Sequence, residues 1–98
     1  MAKVTFIESS AVLAVGLSKN EMLLFTKDGR AYGYSIQALK AALGVKKAEI
    51  KQLYKDLARG AVSAGQTWAH IKKSLATIGE TAHKYTYVES ADFLEAAH

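Results

Sequence analysis

The hydrophobic pattern changes period at Ser35, and this limits the chain to folds that combine a sheet with helices. Before that point Val4, Phe6, Val12, Leu13, Val15, Met22, Leu23, Leu24 and Phe25 fall in short runs separated by turn residues, which is the pattern of strands. Ser18-Lys19-Asn20 supplies one turn. Asp28-Gly29 supplies another, because both residues tolerate the positive φ of a two-residue type I′ hairpin, and it leads into Ala31-Tyr32-Gly33-Tyr34. An antiparallel meander of three or four strands is expected.

After Ser35 the spacing is helical. Ser35 can cap a helix from Ile36 to Leu43 with Ile36, Leu39 and Leu43 on one face, and Gly44 follows as a stop. From about Lys46 to Arg59, Ile50, Leu53, Tyr54 and Leu57 recur at i, i+3, i+4 and i+7, and Gly60 ends the run. A third helix starts at Ser63 or Gly65 and continues through Ile78, with Trp68, Ile71, Leu75 and Ile78 on one stripe. Tyr85-Thr86-Tyr87-Val88 alternates as a strand. Ser90 can cap a last short helix over 91–97, with Asp92 in its first turn. The predicted class is α+β: a small antiparallel β-meander, then about three helices, then a further C-terminal strand and short helix. The 98 residues are expected to form a single domain over 1–98.

Half of the residues are hydrophobic and 22% are charged, a folded rather than a disordered composition. Cysteine is absent, which excludes a disulfide framework, a thiolate metal site and a cysteine nucleophile. The longest apolar run, Ala11 to Leu17, is well short of the roughly 20 residues that span a bilayer. A cytoplasmic protein with no membrane partner is expected.

Nothing in the sequence assembles an active site. His70, His83 and His98 fall on a helix, near a strand and at the terminus, with no spacing that brings two onto one face. Acidic residues are scattered, and the glycines sit at turns without a phosphate-loop or dinucleotide fingerprint. The expectation is a non-catalytic module with no metal and no cofactor.

Charge is more informative. Residues 1 to 37 carry four basic and three acidic groups, residues 38 to 79 eight and two, and residues 80 to 98 one and four. The middle therefore holds the positive charge, and within it Lys47, Lys51, Lys55 and Arg59 recur every fourth residue, away from the apolar face of their helix. Like charges at i and i+4 oppose helix formation by a few tenths of a kcal/mol, a cost that phosphate neutralisation would reverse. Lys72 and Lys73 form a second basic cluster, and the short connection between the two helices resembles a helix-turn-helix. A lysine-rich solvated face, partly relieved by Glu49 and Asp56, explains the same ridge without a ligand.

Tyr32 with Tyr34, and Tyr85 with Tyr87, each project to one face of a strand and could stack on nucleic-acid bases. More often such tyrosines are cross-strand packing pairs with their hydroxyls at the rim.

The stretch Glu8-Ser9-Ser10-Ala11-Val12-Leu13-Ala14-Val15-Gly16, then Met22-Leu23-Leu24-Phe25, Gly29, Tyr32 and Tyr34, resembles the opening of the KTSC domain, a family named from lysyl-tRNA synthetase C-terminal regions. The resemblance resumes at Ser63-Ala64-Gly65 followed by Trp68, Ile71 and Lys72. It spans roughly Glu8 to Lys73. It departs in the middle, where this chain carries the added helix from Lys46 to Arg59 and lacks the valine-proline after the Tyr-x-Tyr strand. The resemblance implies a small sheet with helices, an appended or free-standing module of bacteria and their phages, and no established catalytic residues.

Together these readings favour nucleic-acid binding, to DNA or RNA, with Lys47, Lys51, Lys55, Arg59, Lys72 and Lys73 contacting phosphate. The rivals are a phage-type accessory protein that binds and inhibits a host or defence protein, and a module that captures a small nucleotide ligand. A homo-oligomer that covers a sheet edge is compatible with each.

Overall fold

Short apolar runs joined by tight turns make sequential antiparallel pairing the cheapest arrangement, and the chain adopts it. The computed structural model describes residues 3–97. Strands β1 (Lys3–Phe6), β2 (Val12–Leu17), β3 (Glu21–Thr26) and β4 (Ala31–Ser35) pair in order, and β5 (His83–Lys84) returns to pair with β4. Every pairing is antiparallel, so β1 and β5 are the edges. Helices α1 (Ile36–Leu43), α2 (Lys47–Ala58) and α3 (Ala64–Thr77) follow the meander, and α4 (Tyr87–Ala97) follows β5. The architecture is α+β, as the change of period indicates.

The β2–β3 turn closes at Ser18, whose N–H donates to the Glu21 carbonyl at 2.8 Å while its hydroxyl accepts from the Glu21 N–H at 3.1 Å. The β3–β4 turn differs from the expected two-residue type I′ form. Thr26 N–H donates to the Arg30 carbonyl at 2.8 Å across a three-residue connection, and Gly29 alone takes a positive φ, 92°. The extra residue leaves the left-handed step to glycine alone, the residue that takes it at no steric cost, and Asp28 keeps a negative φ.

Side chains alternate to opposite faces, and both faces are covered. Val12, Val15, Met22, Leu24 and Tyr34 face Leu39, Ile50, Tyr54, Leu57, Ile71 and Leu75 of α1, α2 and α3. Ala14, Leu23, Phe25 and Ala31 face the other way, against Phe93 and Leu94 of α4. The unbroken apolar run Met22 to Phe25 follows from this, since β3 is buried on both sides. A β-bulge between Val12 and Ala14 shifts the β2 register.

Each of the first three helices begins at a side-chain cap. Ser35 accepts from the Ala38 N–H, Glu49 accepts from the Lys46 N–H, and Ser63 accepts from the Gln66 N–H. Gly44, at φ 66°, closes α1. The C-terminal segment departs from expectation. The strand occupies only His83–Lys84, and the helix begins at Tyr87 rather than after Ser90. Thr86 and Glu89 form a reciprocal capping box: the Thr86 hydroxyl accepts from the Glu89 N–H at 3.1 Å, and the Glu89 carboxylate accepts from the Thr86 N–H at 2.9 Å. Ser90 is fully buried one turn inside the helix and donates to the Thr86 carbonyl.

Helix α1 packs against both α2 and α3. Helix α2 lies over β2, and Tyr54 shares a 2.7 Å hydrogen bond with Thr5 of β1. Helix α3 reaches β4 through Trp68, whose indole N–H donates to the Tyr34 hydroxyl at 2.6 Å. Among the described residues no helix is long and apolar enough to cross a membrane.

Candidate nucleic-acid interface

Burial of Ile50, Tyr54 and Leu57 fixes the rotation of α2 and leaves Lys47, Lys51, Lys55 and Arg59 exposed. At 1.5 Å rise per residue, successive cations in this row stand about 6 Å apart along the axis. One salt bridge forms among the described residues, Arg59 Nη2 to Asp56 Oδ1 at 2.8 Å. Asp56 also accepts from Gln52 at 3.0 Å, and these two bonds, Gln52 first, hold its carboxyl below the usual carboxylate range. Arg59 thus ends the ridge with its charge partly engaged, whereas Lys47, Lys51 and Lys55 make no ion pair among the described residues.

Lys72 and Lys73 are exposed on α3, whose Trp68 bonds Tyr34 of β4, whereas α2, which carries the ridge, packs on β2. The ridge and this second cluster therefore sit above different strands. Lys72 Nζ lies 4.1 Å from the centroid of the Trp68 ring, a cation–π contact from one helical turn away.

The four tyrosines are dispersed. Tyr34 is 2% exposed, and burial pushes its hydroxyl pKa up. Tyr32 is half-buried on the same face of β4, with its ring centroid 5.7 Å from that of Trp68. Tyr85 lies on the opposite face, edge-on to Phe93 at 5.3 Å and to His83 at 4.5 Å, and its hydroxyl donates to the Glu21 carboxylate. Desolvation, reinforced by Glu21, pushes the Tyr85 pKa up to about 12. Tyr87 belongs to α4, not to a strand; it is exposed, with the Arg30 guanidinium 4.8 Å from its ring centroid. The two pairs do not make one stacking surface.

The structure instead gathers Tyr32, Trp68, Lys72 and Lys84 around an open cleft of about 760 Å³ between α3 and the β4–β5 edge. Lys84 pairs with Tyr32 across the two strands and so shares its face. Sequence reasoning assigns Trp68 to the apolar stripe of its helix and does not single out Lys84. The i, i+4 spacing of Trp68 and Lys72 is the available signal; the β4–β5 pairing that brings Lys84 alongside is non-local.

His70 is exposed, and His98 lies outside the described residues. Among the described residues no three of His, Cys, Asp and Glu come together as a metal site. No family model, curated protein or solved structure matches the chain.

Proposed function

We propose that this domain is a non-catalytic module that binds nucleic acid, DNA or RNA, through the basic ridge of α2. The observation that supports the reading is the row Lys47, Lys51 and Lys55, exposed along one rigid helix with no acidic side chain in ion-pair contact among the described residues. Such a row retains its full attraction for phosphate, because binding does not first have to break an internal pair. Lys72 and Lys73 extend the contact onto α3. The resemblance to the KTSC domain points the same way, since a synthetase appendage works beside RNA, and in this reading the protein acts in the cytoplasm.

Fluorescence polarisation with labelled duplex DNA, single-stranded DNA and RNA across a salt series tests the proposal. Affinity is expected to fall with salt. The combined substitution of Lys47, Lys51, Lys55 and Arg59 by alanine is expected to flatten the log–log slope by about 0.9 for each duplex phosphate that the variant no longer neutralises. Equal affinity and slope in wild type and variant would overturn it. Recovery of a nuclease-resistant complex with one host protein, and no nucleic-acid binding at low salt, would support the inhibitor reading instead.

A further inference from the structure

Apart from the ridge, the described residues bring partly exposed aromatic surface and positive charge together beside α3. Trp68 is locked in orientation, because its indole N–H is committed to the buried Tyr34 hydroxyl at 2.6 Å. One neighbour is the Tyr32 ring, tilted by 42° at a centroid distance of 5.7 Å. The other is the flexible Lys72 side chain, whose ammonium lies 4.1 Å from the indole centroid. Both rings border the open cleft of about 760 Å³, whose rim also carries Glu80, His83 and Lys84. A cleft of this size falls in the range that small-molecule sites occupy.

The chemistry of this lining is specific. A rigid indole beside a second ring offers a surface to a planar heteroaromatic group, and stacking of that kind contributes roughly 5- to 150-fold in affinity per base. Lys72 and Lys84 outnumber the single carboxylate, Glu80, so the rim favours an anion attached to that planar group. A side chain as mobile as Lys72 can leave the ring face when a base occupies it and turn its ammonium to the attached phosphate.

We propose that the cleft between α3 and the β4–β5 edge binds a nucleobase that carries a phosphate, supplied either as a free nucleotide or as one unpaired residue of a single strand. Base stacking is assigned to Trp68 and Tyr32, and phosphate contact to Lys72 and Lys84. The proposal does not rest on the α2 ridge, whose residues lie outside this cleft.

Trp68 is the single tryptophan of the chain, so its emission reports on the cleft alone. The full chain is titrated with adenosine monophosphate, with a short single-stranded oligodeoxyadenylate and with ribose 5-phosphate, in parallel with calorimetry. Saturable quenching by the nucleotide or the oligonucleotide, with none by ribose 5-phosphate, is the expected result. The stronger of the two in the Lys47→Ala, Lys51→Ala and Lys55→Ala variant, where the ridge no longer holds the oligonucleotide, identifies the natural source. Lys72→Ala combined with Lys84→Ala should weaken binding about tenfold or more, and circular dichroism checks that this surface variant folds. Lys47→Ala, Lys51→Ala and Lys55→Ala together should leave nucleotide binding unchanged, which separates this site from the ridge. Absence of saturable quenching by both base-containing probes, equal quenching by ribose 5-phosphate, or loss of quenching in the ridge variant but not in the cleft variant would overturn the proposal.

Discussion

Trp68 donates its indole N–H to the Tyr34 hydroxyl at 2.6 Å, joining α3 to a tyrosine that is almost wholly buried in β4. Tyr34 Oη has no other hydrogen-bond partner among the described residues, so its satisfaction depends on this helix. Trp68→Phe should therefore lower stability by about 1–3 kcal/mol, part from the missing bond and part from the stranded hydroxyl. Tyr34→Phe should cost less in the Trp68→Phe background than in the wild type. Urea denaturation followed by circular dichroism, arranged as a double-mutant cycle, checks both.

Lys51 is flanked at i−4 and i+4 by Lys47 and Lys55. Replacing it by glutamine keeps helix propensity and removes two repulsive pairs, so stability at low salt should rise by about 0.5 kcal/mol. The gain should disappear in high salt, where screening already suppresses the repulsion. Urea midpoints at the two ionic strengths provide the comparison.

The Tyr85 hydroxyl donates to the Glu21 carboxylate, and its pKa rises from 10.0 to about 12 through desolvation and then Glu21. A raised tyrosine pKa means that the fold prefers the neutral phenol. The stabilisation is thus complete below the unfolded value near pH 10 and is lost as pH rises towards 12. Absorbance titration of tyrosinate should show late-ionising amplitude, to which the buried Tyr34 also contributes, and that amplitude should shrink in Tyr85→Phe. Wild-type stability should fall more steeply than that of the variant over the same interval.

Gly33 pairs with Leu23 on one side and His83 on the other, in the middle of the strand that joins the two aromatic residues Tyr32 and Tyr34. A methyl group at this position would lie 2.9 Å from the Tyr85 ring and would meet the Glu21 carboxylate. Gly33→Ala should displace both, weaken the Glu21–Tyr85 bond and lower stability by about 1–3 kcal/mol. A smaller late tyrosinate transition together with a lower urea midpoint would show it.

Much of the fold is legible in the sequence because it depends on local periodicity. The spacing of Ile36, Leu39 and Leu43 between Ser35 and Gly44 gives α1 its observed bounds, since cap, apolar face and stop are all written within one stretch. The same holds for α2 and α3 to within a residue or two. The C-terminal segment misleads because Tyr85 and Tyr87 alternate like a strand, although Thr86 and Glu89 stand at capping-box spacing in the same stretch. Those two hydrogen bonds satisfy backbone and side-chain groups that a strand at this edge would have left to water.

The site divides along the same line. By itself the sequence determined the basic ridge, because residues four apart on a helix whose apolar face is known must share the opposite face. Only tertiary structure decided which aromatic residues border an open surface. Tyr34 and Tyr32 are equivalent in alternation and both line the cleft, yet Tyr34 is almost wholly buried with its hydroxyl held by Trp68, while Tyr32 is half-buried. Lys84 joins them through a two-residue strand that returns from the far side of three helices. Exposure and proximity of that kind depend on how α3 settles on the sheet, and packing between distant segments leaves no period in the sequence to be read.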